Sequence, residues 1–425
     1  MNRRDFLKNA LTAAALAPVV RVAAQSGLDG KANAQAADAN VKDGVPQVSR
    51  RRWKNTELFV PLLGFGCMRL PLVSPDKPDI DYEKTKKMID MAMDSGVCYF
   101  DTAYMYHDGR SEVCLGELLK EYPRSSYFLV DKMPPWFAEN AKDVERIFQE
   151  QLKRCRTDHF DFYLIHSLDE TNWALTQKYD VYAFLDRMKR EGRIRRLGFS
   201  FHDAPELLRK IVDAHPWDFA QIQLNCLDWD LYRSREQYDI LTKAGIPVVV
   251  MEPLRGGSLA TLVPDAVEIL KQAKPEASVA SWSLRYAASL PNVMCVLSGM
   301  SSPEQVADNI RTFSPLTPLS DAERQTLERA LAAYRKRLAV PCTACRYCMP
   351  CPVGVEIPRI FGLYNQYKAI GNPWLFSNNY GAIPKDSRAD ACVECGKCVK
   401  HCPQKIDIPA ELKKIAREVE SLPTE

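Results

Sequence analysis

Phe160-Asp161-Phe162-Tyr163-Leu164-Ile165-His166 is a run of apolar and aromatic residues, interrupted by one Asp and closed by a histidine. A short run of this kind, with no polar alternation, reads as a strand buried on both faces of a parallel sheet. Seven similar runs flank it: Leu62–Gly66, Val97–Asp101, Tyr127–Lys132, Arg195–Ser200, Phe219–Gln223, Pro247–Glu252 and Val293–Ser298. Helical patterns lie between them. Val144, Ile147 and Phe148 share one face, as do Val181, Phe184, Leu185 and Met188, and again Leu207, Leu208, Ile211 and Val212. Ser302-Pro303-Glu304 starts a late helix, and Ser320-x-x-Glu323 is a capping box for one more. Eight strand–helix units in sequence predict an α/β fold, a (β/α)8 TIM barrel, over residues 49–339.

Active sites of such barrels sit at the C-terminal ends of the strands. Asp101, Lys132 and His166 each close a predicted strand, and Tyr106 follows Asp101 by five residues. Together they suggest proton transfer. A free phenol titrates near ~10, too high for efficient work at neutral pH. A cationic Lys132 is expected to lower Tyr106, with Asp101 holding the lysine and His166 orienting a carbonyl oxygen. Taken singly, each residue also fits a bland role: a structural ion pair or a core histidine.

Eight of the chain's 14 cysteines lie beyond the barrel, in two runs. The first is Cys342-x2-Cys345-x2-Cys348-x2-Cys351-Pro352; the second is Cys392-x2-Cys395-x2-Cys398-x3-Cys402-Pro403. Such runs are ligand strings for [4Fe-4S] clusters, in which the cysteine before proline serves the other cluster. The runs form an internal repeat. Cys351-Pro352-Val353-Gly354-Val355-Glu356-Ile357-Pro358 matches Cys402-Pro403-Gln404-Lys405-Ile406-Asp407-Ile408-Pro409. The expectation is a small α-rich ferredoxin-like domain over 340–425 with two [4Fe-4S] clusters. One is held by Cys342, Cys345, Cys348 and Cys402, the other by Cys392, Cys395, Cys398 and Cys351. The short first spacing makes Cys351 the least regular ligand. Pro409–Glu420 is predicted as a tail helix with Leu412, Ile415, Ala416 and Val419 on one face. The remaining cysteines, Cys67, Cys98, Cys114, Cys155, Cys226 and Cys295, are scattered and read as buried free thiols.

Residues 1–24 open with Arg3-Arg4-Asp5-Phe6-Leu7-Lys8 and continue through an Ala-rich stretch too short to span a bilayer. This reads as a twin-arginine signal, followed by a flexible lead-in over 25–48. Clusters are built in the cytosol and this route exports folded chains, so the expected location is the periplasm, with at most peripheral membrane association. Net charge is +3 and no basic patch is interleaved with aromatics, so no nucleic acid partner is expected.

Asp101-Thr102-Ala103-x-x-Tyr106, Tyr163-Leu164-Ile165-His166, Gly64-Phe65-Gly66 and Arg196-Leu197-Gly198-Phe199-Ser200 resemble motifs of the aldo/keto reductases, over roughly 55–312. The variant Tyr106-His107-Asp108-Gly109-x-Ser111-Glu112 and the tail are similar to a ferredoxin-fused branch. The resemblance implies that Tyr106 gives or takes the proton, that Lys132 and Asp101 tune it and that His166 orients the substrate. His107, where Gly is usual, either lines the pocket or faces water. By the same resemblance a nicotinamide dinucleotide is held by Ser200, Gln223, Glu252, Pro253, Leu254, Arg255, Gly256, Gly257, Ser298, Gly299, Met300, Ser301, Ser302, Gln305, Asp308 and Asn309. Gly299 and Gln305 stand where basic residues pair with the 2′-phosphate of NADP, leaving NADP and NAD both open; Arg255 is a candidate substitute. A flavin is not excluded.

The implied activity is interconversion of a carbonyl and an alcohol, on a small substrate with sugars among the candidates, and with Trp136, Phe137, Trp173, Trp229, Met68 and Tyr104 as rim candidates. The clusters either relay electrons to a quinone-linked or small redox protein partner or serve as structural staples. The alternative is a redox-sensing or accessory subunit with bound dinucleotide.

Overall fold

The structure, a computed structural model, describes residues 44–422 apart from 55, 75–76, 337–338, 344 and 371–372. The signal reading of 1–24 and most of the lead-in lie outside the described residues.

Eight parallel strands close into a barrel in strict chain order: β1 Leu63–Gly66, β2 Tyr99–Asp101, β3 Phe128–Met133, β4 Phe160–Leu168, β5 Ile194–Phe201, β6 Phe219–Gln223, β7 Val248–Met251 and β8 Val293–Ser298. Every strand falls within two residues of its predicted bounds. Their residues are almost all buried, which is why continuous apolar runs rather than alternation mark them. The amphipathic helices cover the sheet. Val144, Ile147 and Phe148 are fully buried on the helix Ala141–Arg154. Ser302 accepts from Gln305 N to cap Pro303–Phe313, and Ser320 and Glu323 form the predicted capping box of Asp321–Arg335. The N-terminal end of the barrel is shut by an antiparallel hairpin, Arg50–Arg52 with Phe59–Pro61, whose Trp53 packs edge-on against Phe162 and Phe219. The C-terminal end stays open for a site.

The tail has its own apolar core. Each copy of the repeat leaves its Cys-Pro turn through a buried pair, Val355 and Ile357 or Ile406 and Ile408, straight into a helix, Ile357–Ile370 or Ile408–Glu420. Pro at the start of each helix costs no hydrogen bond there. Among the described residues no helix is long and apolar enough to cross a membrane.

Candidate active site and iron–sulfur centre

The tail folds onto the open end of the barrel. Arg255 donates from Nη2 to Pro341 O at 3.0 Å, Arg69 from Nη2 to Thr343 O at 3.3 Å, and Lys405 lies 3.7 Å from Asp203. Gln223 and Gln404 exchange amide hydrogen bonds of 2.8 and 3.2 Å. Gly256 lies so close to the tail that a Cβ there would meet Thr343 O at 1.9 Å; its φ of +66° also favours glycine.

At the barrel mouth the four predicted catalytic residues converge. In register, Asp101 of β2 sits beside Val130 of β3, so Lys132 projects just past it. Lys132 Nζ donates to Asp101 Oδ1 at 2.6 Å and to Thr102 O at 2.5 Å, and lies 4.8 Å from the Tyr106 ring centroid. The His166 ring meets Tyr106 edge-on at 6.1 Å and Trp136 at 5.2 Å. Asp101, Lys132 and His166 are buried, while Tyr106 keeps partial exposure and lines the mouth cavity. Burial raises the Asp101 carboxyl above its usual range, with Lys132 pulling it back. Burial, and then Lys132 and His202, hold His166 well below the ordinary imidazole range, so it is neutral.

Tyr106 departs from expectation. Burial first, then the nearby carboxylate of Asp101, push its phenol well above the usual range rather than below it. The reason is visible in the bonding: Lys132 spends its ammonium on a carboxylate and a carbonyl and meets the phenol's ring.

The mouth cavity measures about 530 Å³. Of the dinucleotide residues predicted, Gln223, Glu252, Pro253, Leu254, Gly256, Gly257, Ser298, Gly299, Met300, Ser301, Gln305, Asp308 and Asn309 line it. Three do not. Ser200 is buried, its Oγ accepting from Ser167 N at 2.7 Å; Ser302 is the helix cap. Arg255 does not substitute for a phosphate-binding arginine. It is 1% exposed, its Nε donates to Asp228 Oδ1 at 2.9 Å, its Nη2 goes to Pro341 O of the tail, and its Nη1 is buried with no partner among the described residues. Among the described residues the cavity's one lysine or arginine is Arg69, whose side chain lies over Gly299 and 3.8 Å from Glu252.

His107 does not line the cavity and is half-buried. Its Nε2 accepts from Leu70 N at 3.2 Å, and its φ of +52° explains why glycine is usual there. Of the rim candidates, Met68 lines the cavity and Trp136 packs on His166. Tyr104 and Phe137 pack on each other, Trp173 on His215, and Trp229 on Tyr238 and Tyr286, all within the barrel.

Sequence reasoning missed the tail's share of the wall. Thr343, Cys345, Tyr347, Pro403 and Gln404 line the mouth cavity, as does barrel residue His202. Tyr347 and His202 meet edge-on at 6.1 Å. Burial and then Tyr106 push the Tyr347 phenol far up, and burial lowers His202 to about 4. Only the adjacency of these tail residues to cysteine ligands hinted at them.

None of the 14 cysteines is in a disulfide. The six in the barrel are buried, and burial pushes Cys114 and Cys226 up to about 12. The tail's eight surround two cavities. An inner one is lined by Cys342, Cys345, Cys348 and Cys402, an outer one by Cys351, Cys392, Cys395 and Cys398. Among the described residues no three His, Cys, Asp or Glu side chains gather as they would around a single ion. Four sulfurs about an apolar hollow suit a cubic cluster, whose ligands stand farther apart than those of one metal ion. Ile357 walls both hollows, and Thr343, Cys345 and Gln404 wall both the inner hollow and the mouth cavity.

The model of the Aldo/keto reductase family matches residues 62–332, and that of a 4Fe-4S dicluster domain matches residues 341–406. An uncharacterized oxidoreductase, YqkF, of Bacillus subtilis is 26% identical over 68% of this chain and 97% of its own length. L-galactose dehydrogenase of Arabidopsis thaliana is 26% identical over 69% and 98%. An NADH-specific methylglyoxal reductase of Escherichia coli is 24% identical over 66% and 98%. Among solved structures, the holo form of aldo-keto reductase AKR11C1 from Bacillus halodurans superposes with a TM-score of 0.56 at 25% identity, over 67% of this chain and 96% of that one. Barrel, strand-end residues and family match agree: the chain belongs to the aldo/keto reductase family, as an oxidoreductase of carbonyl or alcohol groups that carries a 4Fe-4S dicluster domain behind its barrel.

Proposed function

We propose that this chain reduces a small polar carbonyl compound to its alcohol, and that the dicluster tail passes electrons between this site and an outside partner. A nicotinamide dinucleotide bound in the mouth cavity would supply the hydride. The residues do the rest. Tyr106, held protonated by its surroundings, gives its proton to the forming alkoxide. Neutral His166 steers the carbonyl oxygen, and the Lys132–Asp101 pair fixes the rim around Tyr106.

The charge pattern of the cavity favours NAD over NADP. Among the described residues Arg69 is the single Lys or Arg in its wall, against the carboxylates of Asp101, Glu252, Glu304 and Asp308. A 2′-phosphate needs cations that this wall lacks. The relatives named for methylglyoxal and L-galactose take substrates with a second oxygen beside the reacting carbon, and we extend that class to this chain. The signal reading of residues 1–24 supports export to the periplasm with the dinucleotide already loaded.

The relay rests on one observation: Cys345 lies in the wall of the mouth cavity and of the inner cluster hollow at once. A cluster held there would exchange single electrons. A staple reading is favoured by a different fact, that the crossed cysteines tie Ile357–Ile370 to Ile408–Glu420 whether or not electrons move. Rapid mixing of the intact protein with substrate and dinucleotide decides between them. With the clusters reduced beforehand and the dinucleotide added oxidised, two single electrons and a proton would return it to its hydride form, so recovery of the cluster absorbance within a turnover is expected, and an unchanged spectrum leaves the staple alone.

A further inference from the structure

The repeat in the tail isolates one residue that cluster binding does not explain. The inner run reads Cys345-Arg346-Tyr347-Cys348 and the outer run Cys395-Gly396-Lys397-Cys398, so Tyr347 and Lys397 hold equivalent places between ligands. Lys397 is exposed at the start of a short helix. The ligand geometry therefore does not call for an aromatic residue, yet Tyr347 is turned into the barrel mouth.

There it meets a polar group without a partner. His202 is 8% exposed, and its Nδ1 is buried with no hydrogen bond among the described residues. The two rings are 6.1 Å apart, edge to face, with the Tyr347 side chain in the cavity wall. Both line the cavity that Tyr106 lines. A buried polar group left unpaired costs free energy unless something in the cavity completes it. A hydroxyl with a neutral imidazole beside it can both donate and accept, which is what a hydroxyl group on a ligand requires.

We propose that Tyr347 of the tail and His202 of the barrel form a second oxygen-binding subsite, which holds a hydroxyl on the carbon next to the reacting carbonyl. The substrate class is then an α-hydroxy carbonyl compound, such as a short sugar. The barrel alone would lack half of this subsite, so the cluster domain sets specificity as well as carrying metal. This rests on reading the mouth cavity as the carbonyl site.

The experiment uses the intact, cluster-loaded chain with glyceraldehyde and propanal, which share a three-carbon chain and differ in the hydroxyls, each with NADH and NADPH. The wild type is expected to prefer glyceraldehyde. Tyr347→Phe, with iron per chain unchanged, should lower the ratio of kcat/KM for glyceraldehyde over propanal by about 10- to 100-fold, chiefly through KM. His202→Asn should shift the same ratio in the same direction. A ratio within about twofold of wild type in both variants overturns the subsite, as does a wild type that prefers propanal. Tyr106→Phe separates this from the underlying reading: if that variant, or no wild-type activity on either aldehyde, shows that Tyr106 is not the proton donor, the carbonyl site itself falls and the subsite with it.

Discussion

The two cysteine runs share a ligand pattern and an exit into a helix, and they differ in everything around them. The inner hollow is pressed against the barrel mouth and shares three wall residues with it. The outer hollow looks to the surface, where Cys395 is exposed and Val353 and Val393 are 39% and 62% exposed. Duplication supplied two similar cradles; docking onto a barrel made them unequal. An arrangement of cavity, inner hollow, Ile357, outer hollow and apolar surface has the order a conduit needs. A pure staple would have no use for that order.

The largest expected effect tests this inequality directly. On the proposal that each belongs to one of two clusters, Cys345→Ser and Cys395→Ser should each remove about half of the iron. Cys345→Ser should also depress carbonyl turnover, whereas Cys395→Ser should leave steady-state reduction by added NADH nearly intact. Iron assays beside turnover would show it, and equal losses of activity would erase the distinction.

Next comes the seam. Arg255 and Asp228 are fully buried, and Asp228 also accepts from Gln223 at 2.8 Å and Asn225 at 2.6 Å. Arg255→Met strands that carboxylate and frees Pro341 O, at a cost of about 3–5 kcal/mol. Lys413→Gln removes an exposed pair with Glu394 at the outer end and should leave the denaturant midpoint where it was. If chemical denaturation ranks the two variants the other way, the tail is not anchored at its inner side.

The smallest effect concerns pH. Arg285 grips Glu323, at the start of the helix Asp321–Arg335 that leads toward the tail, through bonds of 2.7 and 2.9 Å, which lower the carboxyl to about 2. A depressed carboxylate adds stability above its unfolded value of about 4.5, and this contribution disappears as pH falls from there toward 2. Glu323→Gln should lower the melting temperature at neutral pH and flatten the acid limb over that window, so that the two profiles converge near pH 2.

The barrel was legible because its information is local. Runs such as Phe160–His166 and faces such as Val144, Ile147 and Phe148 announce buried strands and covering helices within a few residues. The crossed cysteine sets were legible because a repeat exposes its own symmetry. What stayed hidden depends on pairs far apart in the chain. Arg255 looked available for a phosphate until Asp228 and Pro341 claimed it. Tyr106 looked acidified by Lys132, and burial together with the lysine's other partners reversed the sign. Tyr347 was invisible as a site residue, since nothing between two ligand cysteines says which surface the tail will face.

The missing side chain at Gly256 carries a last consequence. With Thr343 O 1.9 Å from where its Cβ would be, even alanine would hold the two domains apart. The fusion is therefore not freely modular: transplanting this tail onto a related barrel calls for a glycine at that loop position, since any side chain there must displace Thr343.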